Sequence, residues 1–298
     1  MAGTDAQGAL PEASTPVLPW IRVDAASYRG STDSSVRYRT HCYVRYRADA
    51  SRGPTYIAPM KRESVTNRLL DELPARDRER LLGGCEPVEL EFGEILAEPG
   101  EILRDVYFPT GSFVSLVLKV NNEASLEVAL VGNEGMLGAP LALGVNTKQV
   151  HAVVQGPGRA WRMSAARFRS ELGSSRALLQ VIHRYLFVRV SQLEQTAGCN
   201  RFHVVEERLA RYLLMTADRS HSDRFRITHE FLAYMLGVRR VGVTRAATAL
   251  RSRKLIRYAR GDITILDRKR LIGAACGCYR ADLATYDRIL APPRKSGD

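Results

Sequence analysis

The chain has 298 residues, 45% of them hydrophobic, and a formal charge of +12 at neutral pH. This length predicts about two domains, and the hydrophobic content favours globular domains over a disordered chain. The 44 Lys and Arg outnumber the 32 Asp and Glu, which favours an anionic partner such as nucleic acid. No run reaches the roughly 18 apolar residues of a membrane-spanning helix, and no signal-peptide pattern is present, so we expect a cytoplasmic protein with no membrane partner. Five scattered cysteines, an odd number, argue against a disulfide framework.

The pattern of apolar residues changes twice in the first half of the chain. Residues 1–62 have little apolar periodicity, which predicts a flexible extension. Residues 64–82 then predict two short helices separated by Pro74. From Cys85 to Met163, short apolar segments alternate with glycine-bearing turns, a pattern typical of a sandwich or barrel of antiparallel strands. Residues 63–174 are therefore predicted to form one β domain.

Residues 176–197 contain no Gly or Pro, which predicts one long helix that ends near Gly198. The helix has two apolar rows. The near-heptad row, which we assign to pairing with a second copy, comprises Leu179, Ile182, Leu186, Val190 and Leu193. The row assigned to the β domain comprises Leu178, Val181, Tyr185 and Val188. A monomer that buries both rows is the alternative.

The segment LAYMLGVRRVGVTRAATAL, residues 232–250, predicts two helices joined at Gly237. The second helix has one apolar face, made by Val243, Ala246, Ala247 and Leu250. Its other face is basic, with Arg240, Thr244, Arg245, Thr248 and Arg251. Ordinary solvated arginines on a surface helix are the alternative to a binding face.

Three further elements surround this helix pair. Thr228 is predicted to cap the N-terminus of the first helix of the pair. KLIRYARGDITIL predicts a two-stranded wing that turns near Arg260 and Gly261, and the chain from Asp267 to Leu290 is predicted to be helical. Together they predict a winged helix-turn-helix.

In this order, the predicted barrel, long helix and winged helix-turn-helix resemble the Crp/Fnr superfamily of bacterial transcription regulators. The specific match is ITHEFLAYMLGVRRVGVTRAATALRSRKLIRY, and FGEILAEPGEILRDVYFPTGSFVSL is similar to the opening of the family's barrel. The resemblance implies an α+β fold with a cyclic-nucleotide-binding-like antiparallel β-barrel, of the double-stranded β-helix or jelly-roll kind, as a sensor. It also implies a dimerisation helix at 175–198, a winged helix-turn-helix DNA-binding domain at 199–272, and a C-terminal helix and tail at 273–298.

The resemblance also implies a function: a homodimer that binds double-stranded DNA at a near-palindromic operator, and that contacts RNA polymerase if it activates transcription. Arg240 and Arg245 fall where the family has base-reading and phosphate-contacting arginines. Val241 replaces a glutamate of the cyclic-AMP receptor protein, which implies apolar contact with a thymine methyl. The remaining predicted DNA contacts, mainly to phosphates, are Arg239, Thr244 and, on the wing, Arg260.

The nucleotide pocket departs further from the family. Ala139 lies near the family's glutamate position, and no arginine occupies the position that holds the cyclic phosphate. The candidate effector residues are Glu134, Gly135, Gly138, Lys148 and Gln149. We therefore expect no control by cyclic AMP, and the effector stays unidentified.

Metal binding and catalysis find little support in the sequence. Cys276 and Cys278 are the only close cysteine pair, and Cys199 and His203 lie four residues apart, so we assign no metal and no cofactor. No catalytic Ser-His-Asp spacing, phosphate-binding loop or paired-carboxylate motif occurs, so we expect no enzyme. A small-molecule-binding module whose winged domain contacts protein is the alternative function, and the basic helix face argues against it.

Overall fold

The computed structural model describes residues 66–119, 125–259 and 261–290. The predicted extension at 1–62, Arg260 and the tail from residue 291 lie outside these ranges. The helices are α1 (Arg68–Asp71), α2 (Ala75–Leu82), α3 (Ala165–Ser174), α4 (Arg176–Phe202), α5 (Val205–Ser220), α6 (His229–Leu236), α7 (Arg240–Ser252), α8 (Arg268–Ala274) and α9 (Cys278–Leu290), with a short 3₁₀ helix at Ala139–Leu143. The strands are β1 (Glu86–Leu90), β2 (Ile95–Ala97), β3 (Asp105–Pro109), β4 (Phe113–Lys119), β5 (Ser125–Val131), β6 (His151–Gly156), β7 (Gly158–Ser164), β8 (Arg224–Arg226), β9 (Ile256–Ala259) and β10 (Asp262–Ile265).

Two antiparallel sheets form the first half of the described chain, in the strand orders β2-β6-β4-β5 and β1-β7-β3. One apolar core draws side chains from both sheets, among them Leu90, Val114 and Val154. Strand β3 alternates between two cores, since Tyr107 packs against this one while Val106 and Phe108 belong to the other. The antiparallel α+β architecture predicted from the sequence is confirmed.

The second core lies between the β1-β7-β3 sheet and helices α1, α2, α3, α4 and α9. The break at Pro74 separates α1 from α2 as predicted. Asn67 begins α1: its side chain accepts from the Leu70 amide at 3.1 Å and donates to the carbonyl of Gly135 at 2.9 Å. This amide therefore joins the first helix to the loop that follows β5.

Helix α4 is longer than the sequence predicted. It continues through Gly198 to Phe202, so the helix end predicted near Gly198 is wrong. A single glycine costs a helix only about 1 kcal/mol, and Cys199 is buried one residue later, which favours continuation. The chain turns instead at His203 and Val204, whose backbones are extended.

The winged domain consists of α5–α8 and the antiparallel sheet β8-β10-β9. Its core is fully buried and includes Leu213, Phe225, Leu232, Val243, Leu250 and Ile263. The predicted C-terminal helical segment is two helices, α8 and α9, separated by Ala275, Cys276 and Gly277.

Helix α9 returns to α4, because Tyr286 and Leu290 are buried in the second core. The Tyr286 hydroxyl donates to the Glu134 carbonyl at 2.7 Å. Across the described ranges, no helix combines the length and the apolar character that crossing a bilayer requires.

Candidate nucleic-acid interface

The turn between α6 and α7 orients the basic helix. Thr228 begins α6, its hydroxyl accepting from the Phe231 amide at 3.2 Å, as predicted. Gly237 ends α6 with a φ of 62°, a left-handed conformation that favours glycine, and its amide donates to the carbonyls of Ala233 and Tyr234. Arg208, buried on α5, donates to the Leu236 carbonyl beneath this turn. Backbone hydrogen bonds from Gly237 and the side chain of Arg208 therefore hold the turn in place.

Helix α7 has the two faces that its sequence predicted. The apolar face is buried against α5 and α6 and comprises Val243, Ala246, Ala247 and Leu250. The opposite face is exposed and comprises Arg239, Arg240, Val241, Thr244, Arg245, Thr248 and Arg251. Val241 is 55% exposed amid arginines, so its methyl groups are free to meet an apolar edge such as a thymine methyl. A positively charged surface with one apolar point suits the major groove of DNA.

Two residues that the sequence analysis missed stand beside this face. The His229 ring stacks on Tyr258 of β9 with centroids 4.2 Å apart, and its Nδ1 lies 3.0 Å from the Thr244 hydroxyl. That hydroxyl also donates to the Arg240 carbonyl at 3.1 Å, so Thr244 is engaged within the protein in this structure. Burial, followed by the charge of Arg240, lowers the pKa of His229, which favours the neutral ring.

The wing packs beside α6 and α7. Strand β10 pairs with β8 and with β9, and Gly261 makes the turn with a φ of 90°. The Gly261 carbonyl accepts from the Ile227 amide at 2.7 Å, which joins the wing tip to the entry of α6. Arg260, the predicted wing contact, lies outside the described residues.

The predicted dimerisation row divides between the inside and the outside of the chain. Ile182 is fully buried in the second core, so its assignment to a partner-facing surface is wrong. Leu179 and Leu186 are partly buried against that core, whereas Val190 and Leu193 are 52% and 43% exposed. The row predicted to cover the β domain is buried as expected: Leu178, Val181, Tyr185 and Val188.

Phe187, which neither predicted row includes, is 55% exposed on α4. Together with Val190 and Leu193, Phe187 forms an exposed apolar surface on α4, called here the α4 strip. Three exposed apolar side chains on consecutive turns of one helix are typical of a surface that meets another apolar surface.

The predicted effector residues each have partners within the protein. Glu134 forms an ion pair with Arg219 of α5 at 2.6 Å, both side chains being nearly buried. Lys148 pairs with Glu101 at 3.1 Å, and Gln149 donates to Thr147 at 3.2 Å.

The predicted effector glycines face bulky side chains. A Cβ atom at Gly135 would overlap the hydroxyl of Tyr185, and one at Gly138 would overlap Val106. The Tyr185 hydroxyl exchanges hydrogen bonds with the backbone of Met136, at 3.2 and 3.3 Å. The loop that carries the predicted effector residues Gly135 and Gly138 is thus packed against α4 at Gly135.

A cleft opens instead between β5 and the junction of α4, α5 and α6. Its lining includes Glu127, Arg208, Arg211, Tyr212 and Met235. Burial raises the pKa of Glu127 to about 8, although a hydrogen bond from Ser115 and the positive charges of Arg219 and Arg211 lower it. The cleft therefore holds a carboxyl group whose charge changes near neutral pH.

Comparison with known proteins identifies the winged domain directly. Residues 207–273 match the family model of the Crp-like helix-turn-helix domain. No curated protein matches the chain.

Several solved structures share the fold. The FixK2 protein of Bradyrhizobium japonicum superposes with a TM-score of 0.56 at 13% identity, over 64% of this chain and 98% of its own. The c-di-GMP-responsive global regulator CLP of Xanthomonas campestris gives 0.55 at 17% identity, over 65% and 100%. A CRP-family transcriptional regulator of Thermus thermophilus gives 0.54 at 18% identity, over 64% and 99%. At these identities, the likeness is one of fold.

Proposed function

We propose that this chain is a transcription regulator that binds specific DNA sites as a homodimer. It carries a Crp-like helix-turn-helix domain and shares the fold of the Crp/Fnr regulators. The function places it in the cytoplasm with the chromosome. It is a binding protein and not an enzyme, and it contacts RNA polymerase where it activates transcription.

The observation that carries the proposal is the exposed basic face of α7. Arg240 begins the helix and Arg245 lies on the same exposed side, while the opposite side is buried. A guanidinium at the N-terminal end of a helix in the major groove can bond guanine O6 and N7 together. Arg240 therefore reads a base, Arg245 and Arg239 hold phosphates, and Val241 contacts a thymine methyl.

The α4 strip supports the dimer. Phe187, Val190 and Leu193 are exposed in the single chain and lie on successive turns, so a second copy of α4 can bury them. A two-fold axis along α4 presents two recognition helices to successive major grooves, about 34 Å apart, which requires a near-palindromic operator.

Control by cyclic AMP is not part of the proposal. A cyclic phosphate needs a buried guanidinium and backbone amides, and Gln149 with Lys148 supplies neither, since the lysine is held by Glu101. Glu134 is taken by Arg219, and Tyr185 fills the space over Gly135.

The test is selection of bound fragments from the genome of the source organism, with no nucleotide added. We expect a two-fold-symmetric motif from the wild-type protein and none from an Arg240→Ala, Arg245→Ala variant. The matched control is Arg76→Ala, Arg169→Ala, which removes the same charge from exposed positions on α2 and α3 and should enrich the same motif.

Single variants then separate the two roles. Arg245→Ala should weaken binding to all sequences and reduce the salt dependence by about one counterion, whereas Arg240→Ala should relax preference at one base pair per half-site, costing about 1–3 kcal/mol. Equal enrichment by the wild type and the Arg240→Ala, Arg245→Ala variant would refute the groove assignment. It would favour a winged domain that contacts protein.

A further inference from the structure

Three cysteines and one histidine that are far apart in the sequence meet at one place in the fold. They are Cys199 and His203, at the end of α4, and Cys276 and Cys278, at the start of α9. One ligand atom from each, three sulfurs and an imidazole nitrogen, lies within 4.8 Å of all the others. This set is called here the Cys₃His cluster. From it we propose that the protein binds one zinc ion, a site separate from the DNA interface.

The distances fit the edges of a tetrahedron around zinc. With Zn–S bonds of about 2.3 Å, a tetrahedral site has S···S edges of about 3.8 Å and S···N edges of about 3.5 Å. Cys199 Sγ and Cys276 Sγ are 3.6 Å apart, and Cys278 Sγ is 3.4 Å from His203 Nδ1. A hydrogen bond between two thiols can explain the short distance between Cys199 Sγ and Cys276 Sγ. It does not explain why all four ligand atoms lie together, which is the arrangement that binding of a single ion requires.

The surroundings suit a closed structural site. Cys199, Cys276 and Cys278 are 1%, 6% and 2% exposed and form a small buried cluster of their own. Three thiolates with Zn²⁺ carry a net charge of −1, and Arg211, which lines the same cleft as Cys199, supplies a positive charge nearby.

The neighbours of the cluster are themselves held in place. Arg211 is held by Asp282 of α9 at 2.6 Å, and Gln195 donates to Cys278 Sγ at 3.0 Å. Four filled positions leave none for a substrate water, so the ion stabilises the fold and performs no chemistry.

Zinc fits this donor set better than an iron–sulfur cluster. Four ligand atoms within 4.8 Å of one another surround one metal, and a cluster with two or four irons needs ligands spread around a larger core. Binding converts the three thiols to thiolates and releases their protons to solvent. The zinc site then joins the end of α4 to the start of α9, on either side of the winged domain.

The first measurement is the metal content of wild-type protein purified without chelator. We expect one zinc per chain and no iron, with three sulfur ligands at about 2.3 Å and one nitrogen at about 2.0–2.1 Å in the X-ray absorption spectrum. Chelation should make three further thiols reactive towards a thiol reagent. Protein that carries iron, retains no zinc when zinc is supplied during folding, or holds a Cys199–Cys276 disulfide would overturn the proposal.

Variants separate zinc ligands from residues that merely pack. His203→Ala should lower retained zinc by about tenfold or more, whereas His203→Cys, which restores a fourth ligand, should retain it. Cys85→Ser is the matched control, since Cys85 is a free thiol outside the cluster, and should keep full zinc content. Equal zinc content in His203→Ala and in the wild type would exclude the site, and the measurement on the wild type decides the question even if a variant fails to fold.

Discussion

The carboxyl group of Glu127 should make the folded protein less stable as the pH rises. Burial raises its pKa from 4.5 to about 8 in the folded chain, so the folded state holds the proton more tightly than the unfolded state. The unfolded state therefore loses this proton first. The free energy of unfolding is highest below about pH 4.5 and falls as the pH rises towards 8, where the folded state also ionises.

The size of the effect follows from that difference in pKa. At pH 7, which is about 2.5 units above the unfolded-state pKa, the free energy of unfolding is lower than its low-pH value by about 3.4 kcal/mol at most. Glu127 is only partly buried and lines a cleft, so screening by solvent reduces this figure. The expected penalty at pH 7 is therefore between about 1.5 and 3 kcal/mol.

The test is Glu127→Gln, which is neutral at every pH and keeps a hydrogen-bonding partner for Ser115. Urea unfolding followed by circular dichroism should give the variant a higher free energy of unfolding than the wild type at pH 7–8, with the two converging below about pH 4. Glu91→Gln, at an exposed carboxylate, is the control and should follow the wild type. Parallel pH curves for the wild type and Glu127→Gln would refute the reasoning.

Three further outcomes are expected. Val190→Glu with Leu193→Glu should give monomers by light scattering, and an unchanged dimer mass would place the interface elsewhere. Glu134→Gln leaves Arg219 buried without its partner and should cost about 3 kcal/mol in urea unfolding, part of which Arg219→Met recovers if the ion pair is the cause. Gly135→Ala should cost about 1–3 kcal/mol, because the new methyl group displaces the Tyr185 hydroxyl, and a neutral result would contradict this packing.

The features that the sequence predicted well are local in the chain. The buried face of α7 follows from a 3.6-residue period over Val243 to Leu250, and the end of α6 follows from one glycine. The break at Pro74 and the turn of the wing have equally local causes. Each signal lies within about ten residues of the structure it sets, so no tertiary contact was needed to read it.

The features that the sequence did not predict depend on contacts between distant residues. Cys199 and Cys276 are 77 positions apart, and no spacing rule connects two such half-sites. His229 meets Tyr258 across the wing for the same reason. Ile182 was assigned outward because a near-heptad row drifts around the helix, and only the packing of α4 shows which edge of the row the β domain covers.

The return of α9 to α4 gives the winged domain two attachments where a simple linker would give one. The chain enters the domain through His203 and Val204 and leaves it through Ala275–Gly277, and α9 then anchors it in the core that α4 shares. The ion pairs Glu134–Arg219 and Arg211–Asp282 also join it to the rest of the chain, so the recognition helix cannot change its position relative to the sheets without breaking these contacts.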